Sequence, residues 1–154
     1  MLMIRIYLDN CCYNRPYDDQ SQLRISLESQ AKLYVQEMIR ENKLEMASSY
    51  MLIFENSRNR FEIKRKAIEQ FLEENTSIYI DETQKSEVEQ LAQEIHATGV
   101  KSADSIHAAC AIIARCDYLL TTDDRLLKYK TERIQIVDPT EFVRAIGGAN
   151  DEYN

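Results

Sequence analysis

No run of apolar residues in this chain approaches the roughly 20 that a membrane-spanning helix requires. The stretch around Met51–Phe54 falls far short of it, so no transmembrane segment is expected. Glycine and proline are scarce, at three and two of 154 residues, and neither internal repeats nor low-complexity tracts are visible. With 44% hydrophobic and 29% charged residues, the composition is that of a folded globular protein rather than a disordered or fibrous one. Cysteines are few as well. Cys11 and Cys12 are adjacent, and Cys110 and Cys116 lack the paired short spacing of zinc sites. Buried reduced thiols, and hence a reducing cytoplasmic location, are the expectation. Positive charge is also in short supply: 19 Lys and Arg stand against 26 Asp and Glu, a formal net charge of −7. This balance argues against bulk electrostatic attraction to nucleic acid, which needs basic residues against phosphates, unless the charge distribution restores it locally. Two local clusters depart from the average, Arg58, Arg60, Lys64, Arg65 and Lys66, then Arg125, Lys128 and Lys130. The first, taken alone, reads as a solvated helix face.

A chain of this length can bury one substantial core, so a single domain over residues 1–146 is expected, with the small and polar GGANDEYN (147–154) as a flexible tail. The opening MLMIRIYLDN is apolar, but Asp9 interrupts it before any small-residue cleavage site, so it reads as a first strand and not as a signal peptide. Five short β-like segments, each bounded by polar residues, punctuate the chain at Leu2–Leu8, Leu44–Ser48, Ser77–Ile80, Tyr118–Thr121 and Ile134–Val137. Between them run helical patterns at Gln20–Asn42, at Tyr50–Asn75 with a break near Asn56–Asn59, at Ser86–Thr98 and at Ser102–Arg115. A last one covers Thr140–Ile146. Ser86 with Glu89 has capping-box spacing, Gly99 is placed as a left-handed stop, and Ser102 is placed to cap the next helix. Ile106, Ala109, Cys110 and Ile113 recur as one buried face. His96 has no evident partner.

Strands alternating with helices imply crossover connections. The expected fold is therefore α/β, a three-layer α/β/α arrangement around a parallel sheet of about five short strands. Ligands in such sheets bind beyond the carboxyl ends of the strands, and acids crowd there: Asp9 after the first strand, Asp123 and Asp124 after the fourth. Asp81 and Asp138 also follow strands and read as turn residues. Two more acids lie in helical segments. Glu55 follows the apolar Met51, Leu52, Ile53 and Phe54, and Asp104 sits in a first helical turn, where a carboxylate is favoured in any case.

YLDNCCYNRP, Glu55 in its apolar helix, KSADSIHAA around Asp104 and LLTTDDRLL around Asp123 together resemble the PIN domain family over roughly residues 2 to 140. That family contains metal-dependent ribonucleases, including toxins of the VapC type. The resemblance implies that Asp9, Glu55, Asp104 and Asp123 bind metal and carry catalysis, with Thr121 as a hydroxyl helper. It also implies a cognate antitoxin and a homodimer. One departure stands out: the family often has Asn, Ser or Thr two residues after the first Asp, where this chain has Cys11. A polar helper is expected to be lost there, with Asn10 a candidate substitute. His107, three residues after Asp104, is expected to orient or pack beside that acid, with a catalytic base the lesser alternative, and Asp124 is expected to support Asp123 from behind or to pair with Arg125.

The physics agrees with the resemblance. Carboxylates a few ångströms apart repel, by about 1 kcal/mol at 4 Å in water and several times that near a protein surface, so a cluster needs a compensating cation. Hard oxygen donors suit Mg²⁺ or Mn²⁺. The expected reaction is hydrolysis of phosphodiester bonds in single-stranded RNA by a metal-activated water, with Arg15, Arg58, Arg60 and Arg125 holding the backbone. A catalytically inactive PIN-like module that binds RNA or protein is the alternative. A phosphatase using Asp9 as nucleophile fits worse, because it needs a second Asp where Cys11 stands.

Overall fold

The computed structural model describes residues 3–151. Leu2 of the expected first strand and the last three residues of the expected tail lie outside the described residues. Five strands, β1 (Arg5–Leu8), β2 (Glu45–Ser49), β3 (Ile78–Ile80), β4 (Tyr118–Leu120) and β5 (Gln135–Val137), form one sheet in the order β3-β2-β1-β4-β5. Every pairing is parallel. The helices flanking it are α1 (Asn10–Asn14), α2 (Leu23–Arg40), α3 (Tyr50–Ser57), α4 (Glu62–Asn75), α5 (Lys85–His96), α6 (Ser102–Ile113), α7 (Asp124–Leu127) and α8 (Pro139–Asp151). The expected α/β architecture is the one observed. Among the described residues no helix is long and apolar enough to cross a membrane.

Central strands of a parallel sheet are covered on both faces and must be apolar throughout. Ile6, Tyr7, Leu8, Leu119 and Leu120 meet that demand and are fully buried; each such side chain stabilises the fold by about 1.5–3 kcal/mol. β2 is the exception, EMASS, and its serines are buried all the same. Ser48 Oγ bonds Thr76 Oγ1 at 3.0 Å, and Ser49 Oγ bonds the Tyr7 hydroxyl at 2.6 Å. Paired hydroxyls are what allow a polar strand next to the centre of the sheet.

Several helix ends depart from the sequence reading. Ser86 caps nothing: α5 continues straight from a 3-10 turn, Glu82–Gln84, whose opening is capped by Asp81 (Thr83 N to Oδ1, 2.9 Å). Ser102 is the first helical residue and Lys101 precedes it without a side-chain cap. Gly99 does take a positive φ, +109°, which costs glycine no Cβ clash. His96 has a partner after all, its Nδ1 donating to the Val100 carbonyl at 2.6 Å. On α6 the burial spreads from Ser105 through Ala111, while Ile106 and Ile113 are only partly buried. The last helix runs on to Asp151, past the expected end at Ile146, opened by Asp138, whose Oδ1 accepts from Glu141 N at 2.8 Å. The break between α3 and α4 falls where expected: Asn59 Oδ1 accepts from Phe61 N (3.1 Å), and Asn56 Nδ2 donates to the Arg65 carbonyl (2.9 Å).

The topology also locates a crevice. From β1 the chain builds β2 and β3 to one side, then crosses to lay β4 and β5 on the other. The direction in which strands are added therefore reverses between β1 and β4, the kind of switch point where α/β sheets bind ligands.

Candidate metal centre

Leu8 of β1 is level with Leu120 of β4, so the residues that follow, Asp9 and Thr121, emerge side by side. Asp9 N donates to the Leu120 carbonyl at 3.1 Å. Asp9 is 3% exposed, a position an ionised carboxylate takes only when hydrogen-bonded. Thr121 Oγ1 donates to its Oδ2 (2.6 Å); Cys12 N (3.3 Å) and the Cys11 thiol (2.6 Å) donate to its Oδ1. The same carboxylate is the N-cap of α1. Burial nevertheless pushes the Asp9 carboxyl up, with Cys11 beside it reinforcing the shift.

Cys11 corrects the sequence reading, which expected a polar helper to be missing. Its sulfur touches Asp9, lies 3.5 Å from Thr121 Oγ1 and accepts from Thr122 N at 3.3 Å. Hydrogen bonds with Cys12, Asp9, Thr121 and Thr122 hold its thiol below the usual range against the opposing effect of burial. Asn10 is not the substitute: its Oδ1 and carbonyl both accept from Asn14 Nδ2, at 3.1 and 2.8 Å.

Asp123 caps the short helix α7, its Oδ1 accepting from Arg125 N (2.8 Å) and Leu126 N (3.3 Å), while its own N–H donates to Thr121 Oγ1 (3.1 Å). Thr121 thus ties Asp123 to Asp9. Asp123 Oδ2 takes no bond from the described residues. Its neighbour Asp124 turns outward and pairs with Arg24 at 2.7 Å, not with Arg125. Arg24 also donates to the Thr122 carbonyl (3.3 Å) and reaches Glu28 (3.4 Å), clamping the loop after β4 to α2.

Asp104 is half-buried in the first turn of α6, and its carboxylate accepts no hydrogen bond from the described residues. Burial and the negative charge of Asp123 push it up, Cys11 adds to the effect, and His107 and Lys101 oppose it. Glu55, on α3, is engaged from one side: His107 Nε2 bonds its Oε1. The other histidine nitrogen, Nδ1, meets the Tyr7 hydroxyl at 2.6 Å, and that hydroxyl meets Ser49 Oγ at 2.6 Å. His107 is buried and orients Glu55, where the sequence reading had it beside Asp104. Tyr7 and Ser49 were missed; only their alternation onto one buried face of adjacent strands hinted at contact.

The acids expected to bind metal thus face one end of the sheet, in a chain of neighbours running Glu55, His107, Asp104, Asp123, Thr121 and Asp9. No three of the four close to the spacing of a tight cluster. Among the described residues the one group whose ligand atoms lie within 4.8 Å of one another is Asp9, Cys11 and Cys12. The donor chemistry fits a hard divalent ion: carboxylates predominate, Asp104 has both oxygens free, and Asp123 and Glu55 each keep one.

The four expected substrate-binding arginines divide. Arg15 is occupied by Asp18 (3.1 Å) and Glu28 (3.2 Å). Arg58 is exposed over the Phe54 ring at 5.5 Å, and Arg60 is exposed. Arg125 lines a pocket of about 470 Å³ with Thr98, Gly99, Val100, Lys128, Tyr129 and Lys130.

Comparison with known proteins supplies the remaining observation. A family model described as the PIN domain matches residues 6–146. Among solved structures, the VapBC2 structure from Rickettsia felis, bound to a DNA fragment from its promoter, aligns with a TM-score of 0.55 at 15% identity. The alignment covers 86% of this chain and 97% of that one. FitAcB from Neisseria gonorrhoeae aligns at 16% identity and a TM-score of 0.48, over 87% and 97% of the two chains. No curated protein matches the sequence.

Proposed function

The chain belongs to the PIN domain family, and from that premise we propose that it is a divalent-metal-dependent endoribonuclease acting on single-stranded RNA, the toxin of a toxin–antitoxin pair. The observation that carries the reading is Asp104, a half-buried carboxylate with no hydrogen-bond donor among the described residues, beside Asp123 at the switch point between β1 and β4. Beyond the small favourable interaction with the α6 dipole, protein stability gains little from such an arrangement. A cation supplies what it lacks.

Asp9, Asp104 and Asp123 would hold Mg²⁺ or Mn²⁺, with Glu55 completing the acidic wall. When bound, the ion supplies charge neutralisation at the phosphoryl oxygens and a nucleophilic water at neutral pH. Thr121 links the Asp9 carboxylate to the Asp123 backbone N–H through two hydrogen bonds. Tyr7 and Ser49 hold His107, and His107 holds Glu55, so the outer acid is positioned by a buried relay. The second Glu55 oxygen would accept a proton from an attacking water. Arg125, Lys128 and Lys130 form a basic flank next to Asp123 that would contact the sugar–phosphate backbone; Arg58 and Arg60 would extend it from the other side.

Large apolar side chains stand exposed at Leu23 (74%), Phe61 (68%) and Ile63 (86%). Phe61 and Ile63 lie together beside Tyr17 around one pocket; contiguous apolar surface marks protein contacts and supports an antitoxin segment or a second copy of the chain as partner. The test is cleavage of a mixed-sequence single-stranded RNA by purified protein with Mn²⁺, against EDTA and against Asp9→Asn. Cleavage that requires the ion and disappears in the variant is expected. RNA retained but never cut, with any divalent ion, would favour the inactive binding module.

A further inference from the structure

We propose that Cys11 is itself a ligand of the metal centre, so that this site takes thiophilic divalent ions of the zinc and cadmium class more tightly than magnesium. The inference rests on the reading of Asp9 as a metal ligand and extends it to the donor set. It starts from placement. Cys11 is partly exposed, and its sulfur lies 2.6 Å from Asp9 Oδ1 and 3.5 Å from Thr121 Oγ1. It also accepts a backbone N–H from Thr122 at 3.3 Å, so it is held from the side of the β4 loop and faces the carboxylates. The ligand atoms of Asp9, Cys11 and Cys12 are the ones that already lie within 4.8 Å of one another among the described residues.

The two sulfurs are not equivalent. Cys12 is fully buried and its thiol donates to the Leu120 carbonyl at 3.3 Å, turned into the sheet. Cys11 alone of the two is reached from outside. An oxygen at this position would leave an all-oxygen set of the kind that suits Mg²⁺; a sulfur makes it a mixed set, and thiolate donors select zinc-like ions over hard ones. As the sulfur–metal bond forms, the S–H bond breaks and its proton leaves to solvent.

The experiment titrates the full-length protein with Cd²⁺, following the near-ultraviolet sulfur-to-metal absorption, and separately with Mg²⁺ by calorimetry. Wild type, Cys11→Ser and Cys12→Ala are compared, with circular dichroism confirming that each is folded. The expected result is an absorption band in wild type and Cys12→Ala that Cys11→Ser lacks. Cys11→Ser should also weaken Cd²⁺ by about tenfold or more while leaving Mg²⁺ within about threefold. Cd²⁺ binding without the band, or a band that survives Cys11→Ser, overturns the assignment while the metal centre stands. Failure of wild type to bind either ion overturns both.

Discussion

Asp104→Asn separates a carboxylate kept for metal from one kept for the fold. The substitution preserves shape and removes one negative charge. Without metal the charge is opposed by burial, Asp123 and Cys11, is eased only in part by His107 and Lys101, and is paired to no donor among the described residues. Taking an illustrative separation of about 8 Å and an effective dielectric of about 20, two like charges repel by about 2 kcal/mol, and solvent screening of a partly exposed group roughly halves that. Loss of the favourable interaction with the α6 dipole takes back about 0.5 kcal/mol. The metal-free variant should therefore melt slightly above wild type, by about 1–2 °C. Excess Mn²⁺ reverses the order. At 100 times its dissociation constant an ion stabilises the state it binds by about 2.7 kcal/mol, which for a domain of this size is about 5–10 °C. Wild type should gain that much and the variant little of it. Thermal unfolding by circular dichroism, in EDTA and in Mn²⁺, is the assay. A variant several degrees less stable than wild type in EDTA, or one that gains as much from Mn²⁺, would make Asp104 a structural acid and remove it from the metal centre.

Three further outcomes follow from the same structure. Asp123→Asn keeps an oxygen to cap α7 and should abolish cleavage without loss of stability, whereas Asp123→Ala should lose about 1 kcal/mol as well; Asp124→Ala, next door, should leave cleavage unchanged and lose only what an exposed ion pair contributes, about 0.2–1 kcal/mol. Tyr7→Phe strips a buried hydroxyl from His107 and Ser49, for a cost of about 1–3 kcal/mol in urea denaturation, and should lower kcat more than it raises KM by loosening Glu55. Lys32 is buried between the Tyr13 and Phe71 rings, 5.3 and 5.8 Å from their centroids, and burial lowers it to about 7. Its folded value lies below the unfolded one, so the cost of the charge is full below about pH 7 and fades towards pH 10.5. Lys32→Met should accordingly be more stable than wild type by about 3–4 kcal/mol near pH 7, and the difference should shrink steadily as the pH is raised; a gain that does not vary with pH would rule out a buried charge as its source.

What could be read from the sequence was what local pattern encodes. Asp9 stood out because an acid ends an apolar strand, and Glu55 because an acid follows four apolar residues. The parallel sheet and its carboxyl ends followed from the alternation of elements, which requires crossover connections. What could not be read depends on chain segments meeting at long range. Tyr7 finds His107 across 100 positions, and Asp124 finds Arg24 across the same separation, so neither the relay behind Glu55 nor the partner of Asp124 had a local signature. Cys11 was misjudged for a different reason. A thiol counts as a small apolar group until its neighbours are known, and here those neighbours are Asp9, Thr121 and Thr122. Ser86 and Ser102 failed as caps by two residues and by one, because the chain enters each helix earlier than an isolated serine signal suggests.

Carboxylates from β1, α6 and the loop after β4 enclosing one cation is the arrangement on which the proposed chemistry depends. Crystals grown with Mn²⁺ and measured at its absorption edge would locate that cation. An anomalous peak bounded by the side chains of Asp9, Asp104 and Asp123 is the expected outcome; a fully occupied peak elsewhere on the protein, with these three acids making no contact to it, would leave the proposed centre without its metal.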